Sequence, residues 1–247
     1  MRNIMVRGAA GQPLRTKQWY KTTIERKVKR VCATCNNGWM SNMEGATLPL
    51  LMPMIRGVAV VLNPTAQRTV AAWAAKTAFM LRYTETPPHH VHHEHLHWLF
   101  TKQEAPPDAQ VLLATYSGKM PVQYDLKTLT VSTRGPVALH RDVEVVTVSI
   151  GRFVFQVWVW TDPLDRTTGL RMPADDAPRD FVVPIWPPTS FDRTWPPTAA
   201  LNATDFFRFS RTPLPSPIAT SRGSTPNLVL TPRGISLRGR SARQRQR

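Results

Sequence analysis

Two short runs carry residue types that could do chemistry. Cys32 and Cys35, in VCATCNNGWMSNME (residues 31–44), are the only cysteines among 247 residues. A C-x-x-C pair can present two thiolates to one metal, but structural zinc is almost always tetrahedral and takes four protein ligands. The pair therefore supplies half of a zinc site, with zinc as the cofactor it implies and the site incomplete. Asn36 and Gly38 follow closely, and such short residues let backbone amides point at thiolate sulfur. Metal binding, redox chemistry and two ordinary buried thiols are the readings. Redox ranks last, because no strand–C-x-x-C–helix context of thioredoxin type surrounds the pair.

The second run, HHVHHEHLH, gathers six of the seven histidines: His89, His90, His92, His93, His95 and His97. On a helix His89, His93 and His97 share a face, which makes His93 and His97 candidate ligands of a divalent metal with Glu94 at hand. The run is not counted as the H-E-x-x-H of metalloproteases, with His95 taken as its second histidine and so one position early. The reading adopted is a solvent-facing, histidine-rich helix with adventitious metal affinity.

The elements around these runs follow from periodicity. Residues 15–31 alternate loosely through Tyr20, Thr22 and Ile24, which predicts one or two short strands leading into the cysteines. Ser41 with Glu44 three residues on predicts a capping box and a helix start, shortened or kinked by Pro49 and Pro53. TAQRTVAAWAAKTAFMLRYT predicts a helix capped by Thr65, with Val70, Trp73, Ala74, Thr77, Met80 and Leu81 on one face. Residues 89–103 have helical length and follow Pro87-Pro88. Four β-branched, aromatic segments then run from 109 to 160, and Gly151-Arg152 predicts a hairpin between the last two. Residues 153–160 are apolar on both faces, as a central strand covered on both sides must be. WPP recurs at 186–188 and 195–197, where each tryptophan is expected to plug a core edge rather than stack a ligand. The fold class is α+β: two or three helices over 41–103 and an antiparallel sheet over 108–160.

Net charge is +16, and its distribution says more than its size. Residues 1–31 hold nine Lys/Arg against Glu25, and residues 206–247 hold nine Arg and no acid, whereas 32–205 carry 14 basic and 15 acidic residues. Basic ends attract polyanions, chiefly nucleic acid, by releasing condensed counterions. Lys27, Lys29 and Arg30 at one end, and Arg238, Arg240, Arg243, Arg245 and Arg247 at the other, are the candidate contacts to DNA or RNA. Solubility alone accounts for such tails equally well. Three segments follow: a basic 1–44 with the cysteine pair, an α+β body over 45–205, and an Arg/Pro/Ser-rich 206–247. The last buries too little apolar surface to offset ordering entropy and is expected to be disordered. No signal peptide, secreted disulfide framework or 18-residue apolar run stands out, so a soluble, cytoplasmic protein without a membrane partner is expected. No glycine-rich phosphate loop, no G-x-S-x-G and no paired carboxylates are found, so no catalytic residue is assigned.

VKRVCATCNNGWMSNMEGATLPLLMPMI, followed by QRTVAAWAAKTAFML, TVSIGRFVFQVWV and VPIWPP, resembles a bacterial and phage family related to HNH endonucleases. The likeness runs from Val31 to about Pro197, and CNNGWMS is its most specific word. It implies that Cys32 and Cys35 are the second half of a four-cysteine zinc knuckle, a remnant of a hairpin. The first half, with the catalytic histidine, would lie upstream of residue 1. In HNH chemistry a histidine activates water and a metal stabilises the phosphorane-like charge. Only the helix side of that apparatus is present, with Asn36 a weak counterpart, and the His89–His97 run lies in the wrong segment. The expected function is a truncated or degenerate HNH-like protein that binds nucleic acid non-specifically without nuclease activity. The alternative is a non-enzymatic module whose β-rich body, about 108–200, meets a protein partner of unknown identity.

Overall fold

The computed structural model describes residues 31–84, 91–119, 122–133, 140–161, 180–211 and 228–232. The strands expected over 15–31 lie, apart from Val31, outside the described residues.

Helix formation starts earlier than the capping box predicted. A single turn, α1 (Ala33–Cys35), leads through a wider turn at Asn36–Met40 into α2 (Ser41–Arg56). Ser41 is already helical (φ −64°, ψ −40°) and caps nothing. An N-cap needs extended backbone, and Ser41 follows Met40, which is already helical (φ −68°, ψ −43°) just past a kink at Gly38 (φ −97°, ψ −113°). Glu44 instead pairs with the buried ammonium of Lys76. Pro49 and Pro53 do not shorten α2, which continues to Gly57 in left-handed geometry (φ 84°). Met43, Thr47, Leu51 and Met54 are buried at helical spacing, and that burial outweighs the hydrogen bonds the prolines remove.

α3 (Pro64–Arg82) is capped by Asn63, not Thr65: the Ala66 N–H donates to Asn63 Oδ1 at 2.8 Å, and Pro64 takes the first helical position. Its buried set is also wider than one stripe, because α3 lies between α2 and the sheet. Gln67, Ala71, Ala75, Ala78, Phe79 and Arg82 are buried along with Val70 and Ala74, while Trp73 and Met80 are only half-buried. Gln67 uses its whole amide: Nε2 donates to the Leu62 and Phe191 carbonyls, and Oε1 accepts from the Thr189 N–H and hydroxyl. α4 (His93–Lys102) is shorter than the expected 89–103.

The strands are β1 (Val60–Leu62), β2 (Gln110–Thr115), β3 (Val122–Thr133), β4 (His140–Ile150), β5 (Phe153–Trp160), β6 (Val183–Trp186), β7 (Arg193–Trp195) and β8 (Leu228–Pro232). Six form an antiparallel sheet in the order β6-β2-β5-β4-β3-β8, and β1 pairs with β7. The expected α+β class with an antiparallel sheet is what the chain forms. β5 is central and every residue in it is buried. Phe153, Phe155, Val157 and Val159 face the core under α2, α3 and α4, while Val154, Trp158 and Trp160 face a second core with Phe206 and Phe209. Ile150 opposes Phe153 across the Gly151-Arg152 turn. Glycine is required there twice over: φ is +58°, and a Cβ would sit 2.5 Å from the Ile55 carbonyl oxygen. Both WPP tryptophans are buried. Trp186 Nε1 donates to the Pro106 carbonyl at 2.8 Å and Trp195 Nε1 to that of Ala114 at 3.1 Å, so they plug core edges as expected.

The segment expected to be unstructured from 206 contributes to the fold in two places. α5 (Ala203–Arg211) buries Phe206 and Phe209, and β8 lengthens the sheet beside β3. The mean composition of 206–247 hides two short apolar clusters: Phe206 and Phe209, which the second sheet face buries, and residues 228–230, in the strand that pairs with β3. Gln156 Nε2 ties α5 down, donating to the Phe209 carbonyl at 2.8 Å. Among the described residues no helix is long and apolar enough to cross a membrane.

Candidate functional site: a dithiol turn and a histidine helix

Cys32 has extended backbone (φ −69°, ψ 156°) and caps the first turn, which brings Cys35 one turn along the same surface. The Cys35 N–H donates to Cys32 Sγ at 3.3 Å. That bond favours the thiolate and is the chief reason the Cys32 thiol lies below its ordinary value. Cys32 is exposed, Cys35 half-buried, and both are free thiols. Two soft donors held this way suit zinc or another thiophilic ion. They supply two of four ligands, and among the described residues no group of three or more Cys, His, Asp or Glu comes together. Asn36 Nδ2 donates to Asn37 Oδ1 at 3.2 Å on the exposed side of the turn. One turn beyond Cys35, Trp39 meets Phe100 of α4 edge-to-face, ring centres 5.9 Å apart, which fixes the dithiol turn against the histidine helix.

The histidine run is divided rather than uniformly solvent-facing. His92 caps α4, its Nδ1 accepting from the Glu94 N–H at 3.3 Å. His95 is buried, stacked on Phe79 with ring centres 6.1 Å apart, and its Nε2 bonds Asp108 Oδ2 at 2.9 Å. His93 and His97 are exposed, one turn apart. The histidine that completes H-E-x-x-H is His97 rather than His95, so the motif is present letter for letter as His93-Glu94-His95-Leu96-His97. The zinc centre of such enzymes takes a third protein ligand, and none joins this pair among the described residues. His89 and His90 lie outside the described residues.

A small cavity opens between α3, α4, β4 and β5, with Arg82, His92, His95 and Glu144 as its ionisable lining. Arg82 pairs with Glu144, and its Nη2 also donates to the Lys127 carbonyl at 3.2 Å. Thr128 Oγ1 donates to Glu144 Oε1 at 2.9 Å. Sequence reasoning did not find this charged cluster or the His95–Asp108 pair. Asp108 lies 13 residues from His95 and Glu144 62 from Arg82, so no local pattern joins them; the one available hint is a charged residue, Arg82, four after the core-facing Ala78.

Lys27, Lys29 and Arg30, and Arg238, Arg240, Arg243, Arg245 and Arg247, lie outside the described residues. Comparison with family models, with curated proteins and with solved structures returned no match to this chain.

Proposed function

We propose that this chain is an HNH-like zinc half-knuckle protein that binds nucleic acid without sequence preference through its basic ends and has no nuclease activity of its own. The observation that carries the reading is the dithiol turn: exposed Cys32 and half-buried Cys35 stand one turn apart, the Cys35 N–H donating to Cys32 Sγ, directly after a segment holding nine basic residues and one acid. Zinc bound there would act structurally, cross-linking the turn to two further ligands from outside the described residues. The reading goes with a cytoplasmic location, where thiols stay reduced.

The test is a salt series. Cutting after Pro232 removes six arginines (Arg233, Arg238, Arg240, Arg243, Arg245 and Arg247) while keeping α5 and β8. If half of them touch phosphates, the slope of log K against log salt on duplex DNA flattens by about 2–3 between roughly 50 and 200 mM. Fluorescence anisotropy of a labelled duplex measures it. An unchanged slope removes the tail from the interface.

A second reading has its own support. Leu48, Val58, Val61 and Phe191 are more than half exposed, and Met52, one turn after Leu48, is 36% exposed. Apolar exposure of this kind suits a protein partner. It falls chiefly on α2 and β1 rather than on the β-rich region expected from sequence. A slope insensitive to the tail, together with weak DNA binding overall, favours this reading.

A further inference from the structure

We infer that α4 carries a second metal site, independent of the cysteines, in which His93 and His97 chelate one borderline divalent cation such as Ni²⁺, Cu²⁺ or Zn²⁺. Residues four apart on a helix stand one above the other, about 5–6 Å between Cβ atoms, close enough for two imidazoles to reach a single ion at about 2.0–2.1 Å. Both side chains are exposed, so neither has to leave the core to bind. Their neighbours are already engaged: His92 caps the helix through Nδ1, and His95 is buried on Asp108. Those two bonds fix the helix start and its rotation, which leaves His93 and His97 as the pair pointing out.

The electrostatics also permit it. A cation near a helix N-terminus opposes the macrodipole. Glu94 stands in the first turn beside His93 and offsets that field. Imidazole donors select borderline ions, whereas the thiolate pair at Cys32 and Cys35 selects softer ones. The chain therefore offers two half-sites of different chemistry, and water fills the remaining positions on an ion held by α4.

The experiment uses the full chain bearing Cys32→Ser and Cys35→Ser, so that only nitrogen ligands respond, and titrates Ni²⁺ alone by calorimetry. One site per chain is expected. His93→Ala and His97→Ala should each weaken it by tenfold or more, because either change turns a chelate into a single ligand. His89→Ala and His90→Ala should change it less than threefold. Bound Ni²⁺ should also raise the melting temperature, and this rise should vanish in the His93→Ala and His97→Ala proteins. Equal losses from His89→Ala or His90→Ala would overturn the proposal, since the metal would then be held by a histidine-rich tract without helical order. Absence of binding in the parent double-serine protein would also overturn it. Neither result bears on the zinc half-knuckle, which is tested by zinc uptake in the chain with its cysteines intact.

Discussion

The dithiol turn and the histidine helix touch through Trp39 and Phe100, yet the fold treats their ligand atoms differently. At the dithiol turn Cys32 is exposed and Cys35 half-buried, and Cys32 Sγ accepts from the backbone N–H of Cys35 three residues on. Along α4 the imidazoles part company: one enters the core, one caps the helix and two face out. A local hydrogen bond fixes the first arrangement wherever the turn forms. The second depends on where Phe79 and Asp108 lie. A dense run of metal-ligand residues is therefore not one site but several environments, separated by the 100° each residue turns on a helix.

The contrast can be broken hardest at Phe79, which holds the His95 ring and is fully buried. Phe79→Ala should cost about 3–5 kcal/mol of unfolding free energy, the usual range for an emptied aromatic site. Urea denaturation followed by tryptophan fluorescence measures it. A loss under 1 kcal/mol would mean that α4 is not anchored through this contact. Next comes the buried pair itself. Asp108→Ala strands the His95 Nε2 and should cost about 1–3 kcal/mol, whereas His93→Ala with His97→Ala should stay within about 0.5 kcal/mol because both are exposed. Equal costs for the two sets would erase the division of the run.

The smallest effect on stability and the sharpest on reactivity is expected at the dithiol. Cys32→Ser should leave unfolding within about 0.5 kcal/mol of the parent, as exposed substitutions do. Its thiol is lowered by the Cys35 N–H, and a lowered value means more thiolate at any pH beneath the ordinary thiol range. Iodoacetamide should therefore alkylate Cys32 along a rate–pH curve whose midpoint lies below that of a model thiol peptide. Mass spectrometry of the quenched protein resolves the site. A midpoint at or above the peptide's would show that the N–H···S bond is not kept in solution.

What the sequence determined by itself is what short-range spacing can encode. The alternation of β2 to β5, the two-sided apolar pattern of Phe153–Trp160, the Gly151-Arg152 turn and the one-turn separation of Cys32 and Cys35 all rest on neighbours within a few residues. The long helix over 64–82 was legible for the same reason, while its cap was misplaced by two residues because Asn63 and Thr65 both carry a side-chain oxygen able to accept from the first-turn N–H groups. Tertiary structure decided the rest. Ser41 lost its cap role to a helix already running, and Glu44 was recruited by Lys76 from α3. His95 found Asp108, Arg82 found Glu144, and Phe206 and Phe209 found the second face of the sheet. Each of these joins groups far apart in the chain or sets a long-range packing gain against a local preference. A cap is worth about 0.5–2 kcal/mol and an interior proline costs about 3 kcal/mol, so one buried side chain, at about 1.5–3 kcal/mol, overrides the first and several together override the second without leaving a mark in the nearby sequence.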